Sequence, residues 1–422
     1  MDSITQITLG AAVGELVLGK KIGNRAMLWG GVAGTIPDLD ILLNLVLDPI
    51  NALAQHRGLS HSFFFAIISC WIFGYFVHRL YDSGTYKKQW YKVIVMFGAF
   101  ISILFVSAFI NAIFWAARGS FYIPTILICL ITMIFLMIRF YKNYYKGSSL
   151  TVDTNYRDWV KLFFWCIITH PVLDSFTVYG TQLFQPFSDF RVGFNNIAVV
   201  DPLYTAWYLL LIPALFMDKL NIRRRHLTIA ALVLSSIYIA FTIWNKSRIN
   251  KVFETILQER GIQVDRYMTS PTIMNNLLWH CIGESDKVYY QGLYSVNDSK
   301  PQLHKILAIP KNHEYLAAYK NGEVMQTLEW FSNGYYNIEK LNSDSFQLND
   351  LRYGMFSDSI RSEDDYIFSF YLQPDGDELI FSNKNKGPEN SDRMLGDFWK
   401  RMMGEVEFVD TVIIVKNQFE GL

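Results

Sequence analysis

Five apolar runs of membrane length dominate the first 245 residues: roughly Ser62–Leu80, Val93–Ala117, Phe121–Ile138, Val160–Tyr179 and Leu227–Trp244. A bilayer core needs about 20 apolar residues per helix. Backbone exposed to lipid must satisfy its own hydrogen bonds, so these runs commit the chain to helices there. A sixth run, Pro202–Met217, is slightly short. Two N-terminal stretches, Ile4–Leu18 and Ala26–Ile36, are shorter still and suit tilted or partial spans packed on the others. They carry Gly10, Gly14, Gly30, Gly31 and Gly34, small residues that let helix backbones approach closely in lipid.

From about Asn245 onward the pattern changes. Lys251–Arg260 has the spacing of a short amphipathic helix. Alternating apolar and polar residues then predict strands at Lys287–Tyr294, Gln326–Phe331, Tyr335–Leu341, Tyr366–Leu372 and Glu378–Ser382. Lys320-Asn321-Gly322, Ser332-Asn333-Gly334 and Pro374-Asp375-Gly376 punctuate them as turns. The chain therefore reads as an α-helical polytopic membrane bundle over residues 1–245. A C-terminal α+β, strand-rich soluble domain follows over residues 246–422.

Formal net charge is zero, which gives no basic field for nucleic acid. The four cysteines form no CxxC pair, so neither a disulfide framework nor a cysteine zinc knuckle is expected. Met1-Asp2-Ser3 lacks the basic start of a signal peptide, leaving the spans themselves to direct insertion. Basic residues cluster in alternate loops: Lys20, Lys21 and Arg25; Arg79 to Lys92; Arg139 to Lys161; Lys219 to Arg225. The positive-inside rule puts these loops in the cytoplasm. Residues 37–61, the loop 180–201 and the C-terminal domain then face the other, extracytoplasmic side of the membrane.

Three short motifs sit at the edges of the apolar runs: Pro37-Asp38-Leu39-Asp40, His56-Arg57-Gly58-Leu59-Ser60-His61-Ser62, and His170-Pro171-Val172-Leu173-Asp174. Ionisable residues at bilayer depth are costly and persist when they pair, bind an ion or do chemistry. His170 and Asp174 are one helical turn apart on one face. Asp38 and Asp40, as alternate residues of an extended segment, would point the same way and repel unless a cation or proton lies between them. A turn at Gly58 can aim His56 and His61 at one point. Histidine and carboxylate together suit a divalent metal, zinc above all. The candidate ligands are thus Asp38, Asp40, His56, His61, His170 and Asp174. Asp40 is also a candidate proton acceptor, and Arg57 a candidate clamp on phosphate or carboxylate oxygens. Each motif has a plainer reading: a buried His–Asp hydrogen bond, an Asp helix cap, a headgroup-level arginine. Glu15 is expected to pair with Lys20 or Lys21. His280, His304 and His313 are scattered and suggest no site.

From Met1 to about Asp201 the chain resembles the bacterial inner-membrane-associated metal-dependent hydrolase family, the YdjM-like proteins. The carrying residues are Gly30–Asp40, the His56–Ser62 block, Thr169–Asp174 and Tyr179-Gly180-Thr181-Gln182-Leu183-Phe184. The resemblance implies a metal-dependent hydrolase in the inner membrane. A remoter likeness to zinc-dependent phospholipases C and single-strand nucleases implies a helical bundle with a His/Asp zinc site acting on phosphate esters. Many relatives carry a Thr-His pair near the N-terminus where this chain has Thr5-Gln6, and Gln is a poor zinc ligand beside His.

The leading expectation is a membrane-bound metal-dependent hydrolase, a phosphoesterase acting on a lipid or lipid-linked substrate. The alternative is a non-enzymatic membrane scaffold with a structural metal site, its exterior domain binding an envelope protein. A transporter is disfavoured, because Val93–Ala117 offers only Ser102, Ser107 and Asn111 as polar groups.

Overall fold

The computed structural model describes residues 1–118, 120, 122–146, 152–303, 305–355, 366–382, 391–405 and 412–415. His304 lies outside the described residues. In chain order the helices are α1 (Ser3–Ile22), α2 (Asn24–Thr35), α3 (Pro49–Gln55), α4 (Phe63–Asp82), α5 (Gln89–Arg118), α6 (Ile123–Phe140), α7 (Tyr156–Asp174), α8 (Pro202–Ala206), α9 (Leu211–Ala214), α10 (Ile222–Glu259), α11 (Glu323–Phe331) and α12 (Ser391–Met402). Four helices among the described residues, α4, α5, α6 and α10, are long and apolar enough to cross a membrane. A fifth crossing is available if α2 and the 3₁₀ segment Pro37–Leu45, bent by 46°, count as one broken span. Pro37 marks that bend: it lacks the N–H donor that would carry the α-helical hydrogen bonds onward.

The chain divides into two compact units. One is Cys70–Lys161, comprising most of α4, then α5, α6 and the first turns of α7. Inside it Tyr81 stacks on Trp159 with centroids 5.0 Å apart, and the Tyr156 hydroxyl donates to the Trp71 carbonyl at 3.0 Å. The other unit holds Met1–Ser69 and Leu162–Leu422.

Within that second unit, α1 and α2 cross where their glycines meet. A Cβ on Gly10 would lie 2.3 Å from the Gly30 carbonyl oxygen, and one on Gly14 2.3 Å from that of Ala26. Any larger residue would drive the helices apart. Nearby, the buried Glu15 forms a bidentate pair with the buried Arg224, at 2.6 Å and 2.5 Å. The expected partners Lys20 and Lys21 are exposed instead. Arg224 reaches Glu15 from the first turn of α10, a neighbour that local sequence could not show.

Helix α10 is 38 residues long, about 57 Å at 1.5 Å per residue. This exceeds a bilayer core of about 30 Å. The predicted short helix Lys251–Arg260 is its final turns, and position 245 lies in its interior. Ile249, Phe253, Ile256 and Leu257 share one face there and bury against Trp279, Cys281 and Tyr294.

The C-terminal strands form two sheets. The first has the order β1-β2-β3-β4-β9, with β1 (Arg266–Pro271), β2 (Leu278–Glu284), β3 (Val288–Ser295), β4 (Ile306–Pro310) and β9 (Val412–Ile414). It is antiparallel except for the parallel pair β4–β9. The second is an antiparallel meander of β5 (Tyr336–Asn342), β6 (Ser345–Asp350), β7 (Ser369–Asp375) and β8 (Glu378–Ser382). An α-helical membrane part followed by a strand-rich α+β part is thus the architecture. Gln326–Phe331, predicted as a strand, is helical in α11. Met325, Leu328 and Phe331 bury at three-residue spacing, a helical period that short alternation had masked.

One packing detail positions the site. Ile50 of α3 is buried among Leu328, Phe331, Ile338 and Phe370 of the second sheet and α11, with Leu53 and Tyr179 packed against the same cluster. The segment leading into His56 and Arg57 is therefore held by the strand-rich C-terminal part of the same unit.

Candidate metal centre

The three motifs meet at one place. Asp38 comes from the 3₁₀ segment after α2, His61 from a 3₁₀ turn before α4, and His170 and Asp174 from the end of α7. Candidate ligand atoms of these four residues all lie within 4.8 Å of one another. His61 Nε2 is 3.1 Å from His170 Nε2. Asp38 Oδ1 is 3.6 Å from His61 Nε2 and 3.3 Å from His170 Nε2. Asp174 Oδ2 is 3.4 Å from each imidazole nitrogen. Ligands about 2.0–2.1 Å from a tetrahedral zinc ion stand roughly 3.3–3.4 Å from one another. The five distances cluster around that edge length.

Surrounding groups fix which nitrogens face inward. His170 Nδ1 donates to the Gly34 carbonyl at 2.5 Å. His61 Nδ1 lies 3.0 Å from Ser60 Oγ and 3.3 Å from Asp40 Oδ2. Ser60 Oγ itself donates to Asp40 at 3.4 Å, leaving its oxygen to accept from His61. With both Nδ1 atoms acting as donors, the neutral rings present two Nε2 lone pairs to each other. Such a pair needs a proton or a metal ion between them. Asp174 Oδ2 is buried and accepts no hydrogen bond among the described residues, although Arg57 Nε lies 3.3 Å away. Two imidazole nitrogens and two carboxylate oxygens, one of them an orphaned acceptor, fit a divalent metal. Outer partners of this kind set tautomer and ring orientation in metal sites generally. Burial opposes protonation of His61, but Asp174, Asp38 and Asp40 together outweigh it and lift the imidazole to about 9. The surroundings favour positive charge.

Asp174 is held from its other side. Its Oδ1 accepts from the Met1 amine and, at 2.9 Å, from Gln6 Nε2. Gln6 is therefore beside the centre, where it anchors a candidate ligand.

Asp40 and His56 lie outside the four-residue group. Asp40 accepts from the Arg57 backbone N–H at 2.8 Å and from His56 Nδ1 at 3.2 Å. Its observed contacts orient His61 and His56. The His56 side chain is 36% exposed and that of Asp38 is 27% exposed, whereas those of His61, His170 and Asp174 are closed to solvent. The centre is thus open on the side of Asp38 and His56. Arg57 has a left-handed backbone (φ +56°), rare for a side chain of its size. Its N–H is held by Asp40 and its carbonyl by the Gln182 N–H at 3.0 Å, while Nη1 donates to Thr177 Oγ1 at 2.9 Å. The Gly34 carbonyl had no sequence signal as a member of the centre, and Gln6 was marked only through the Thr5-Gln6 departure from a Thr-His pair. Arg191, stacked near it on Tyr179, was visible only as an isolated basic residue.

The fold and the centre together define a membrane protein with a buried His/Asp group able to hold a metal ion. The chain belongs to the YdjM inner membrane protein family, whose pattern matches residues 1–249. No curated protein and no solved structure matches it.

Proposed function

We propose that the protein is a membrane-bound, metal-dependent hydrolase acting on phosphoesters of lipid or lipid-linked substrates. The observation that carries this reading is the partly exposed His56, oriented by Asp40 at the open edge of the centre. A structural metal site is closed, whereas a catalytic one keeps access for water and substrate. A bound divalent ion would be held by Asp38, His61, His170 and Asp174, and would supply Lewis acidity and a lowered water pKa.

The chain's own residues would do the rest. Asp40 accepts from His56 Nδ1 and leaves His56 Nε2 free to take or give a proton at the mouth. Arg57, withdrawn from water and fixed at both ends of its peptide, holds a fixed positive charge where phosphoryl oxygens would gather charge. Apolar side chains on the segment carrying Asp38 and Asp40, including Leu39, Ile41, Leu42 and Leu45, are exposed and suit a lipid surface. The basic loops support a topology in which the centre and the C-terminal domain face the extracytoplasmic side.

A second reading has its own support. Four protein groups, five of whose six separations lie near a tetrahedral edge, would fill the coordination of zinc, as in a structural site, with the C-terminal domain binding an envelope partner. Metal analysis and phospholipid hydrolysis on the detergent-purified protein separate the two. His61→Ala and Asp174→Asn should lose metal and activity, His56→Ala should keep metal and lose activity, and His78→Ala should keep both. Tight metal binding with no hydrolysis of any phosphoester by the wild type would favour the scaffold.

A further inference from the structure

Beside the centre, two arginines converge on one aromatic ring. The guanidinium carbons of Arg57 and Arg191 each lie 4.8 Å from the Tyr179 centroid. Arg191 is also 5.2 Å from the rings of Trp330 and Phe331, residues of α11 in the C-terminal domain. It donates through Nη2 to the His56 carbonyl at 3.2 Å. Its Nη1 is withdrawn from solvent and donates to nothing among the described residues. No carboxylate pairs with it there, whereas the neighbouring Arg352 is matched by Asp350 at 2.6 Å. Burial, with the charges of Arg352 and Arg57, lowers Arg191 to about 10, against the opposing effect of Tyr179. Arg191 is therefore an uncompensated cation with an unused donor.

Charge balance points the same way. The centre's carboxylates are Asp38, Asp40 and Asp174. A divalent ion with Arg57 and Arg191 exceeds them by one positive charge, before the Met1 amine is counted. An excess of positive charge withdrawn from water calls for an anion. Guanidinium forks match phosphoryl oxygens in geometry and charge.

We propose that Arg191 and Arg57 form a recognition site for a phosphoryl group beside the metal centre, walled by Tyr179 and by Phe331 of the C-terminal domain. This deepens the hydrolase reading and rests on it for the charge balance, while the arginine geometry stands apart from it. The C-terminal domain, most of which lies beyond the family match, thereby completes a site whose other members lie within it.

The test is calorimetric titration of the full-length, zinc-equilibrated protein in a neutral detergent. The probes are inorganic phosphate, glycerol phosphate and dihexanoyl phosphatidic acid, with chloride as the comparison anion. Wild type should bind each phosphoryl probe more tightly than chloride. Arg191→Gln should weaken that binding at least tenfold, the scale of one lost charge-assisted pair. Arg191→Lys should fall between, because it keeps charge without the fork, and the exposed Lys300→Gln should match wild type. Tighter binding of phosphatidic acid than of glycerol phosphate would support the site with a lipid source; equal binding would support it with a soluble one. Phosphate bound no better than chloride, or equally by wild type, Arg191→Lys and Arg191→Gln, would overturn the proposal. Zinc content, measured in parallel, judges the metal centre separately. A wild type without zinc that still shows the Arg191 dependence would sink the metal reading and leave the anion site standing.

Discussion

Replacing Gly30 by alanine should damage the metal centre without touching any of its ligands. The new Cβ would lie 2.2 Å from the Gly10 carbonyl oxygen and 2.8 Å from Gly14 Cα. Ordinary carbon contacts are about 3.5 Å, so α1 and α2 would have to separate by about 1 Å. Overpacking of this kind costs about 1–3 kcal/mol. The end of α7 cannot follow both helices: His170 is bonded to Gly34 of α2, and Asp174 to Gln6 of α1. One outer bond must stretch, and loss of such a partner lowers metal affinity by about 10–100-fold. Competition against a chromophoric chelator, with a thermal melt of the same detergent-solubilised sample, measures both effects. Gly98→Ala is the control, since its Cβ would meet nothing within 4 Å and α5 supplies no candidate ligand. It should leave affinity unchanged and raise helix stability by about 0.5–1 kcal/mol. Wild-type affinity and melting point in Gly30→Ala would refute the claim that the glycine crossing sets the centre's geometry.

Other predictions concern charge and orientation. His280 is fully buried in β2, and burial lowers it to about 4, Gln291 opposing. The unfolded chain takes up its proton near pH 6.5 and the folded chain only near 4. Stability should therefore fall as pH drops through that window, by about 3 kcal/mol in all; acid unfolding of a His280→Phe variant should lack this component. Breaking the buried Glu15–Arg224 pair with Arg224→Met should cost about 3–5 kcal/mol by strands a lone carboxylate in the fold, and Glu15→Leu with Arg224→Met should recover most of it, as thermal melts would show. A reporter fused after Leu422 should behave as extracytoplasmic and one at Tyr145 as cytoplasmic; a cytoplasmic C-terminus would overturn the outward-facing centre.

Local sequence determined the elements whose residues answer to their own neighbours. Four of the five apolar runs became α4, α5, α6 and the first part of α10, because lipid leaves a spanning backbone only internal hydrogen bonds, whereas Val160–Tyr179 falls largely in α7, which ends at Asp174 and is not among the helices long and apolar enough to cross. His170 and Asp174 share a face because helical spacing puts them there. The glycines of the first two helices read as close-packing residues, and they form the α1–α2 crossing. Tertiary structure alone decided the relations between distant segments. It separated Asp38, within the four-residue group, from Asp40, which orients the histidines, because a 3₁₀ segment turns alternate side chains apart where an extended strand would align them. It gave Glu15 to Arg224, made Gln326–Phe331 a helix on the face that buries Phe331, and carried Phe331 to the ring that Arg57 and Arg191 share. Periodicity records which way a side chain faces along its own element; which partner waits on that face is set by packing, whose contacts join residues up to hundreds of positions apart.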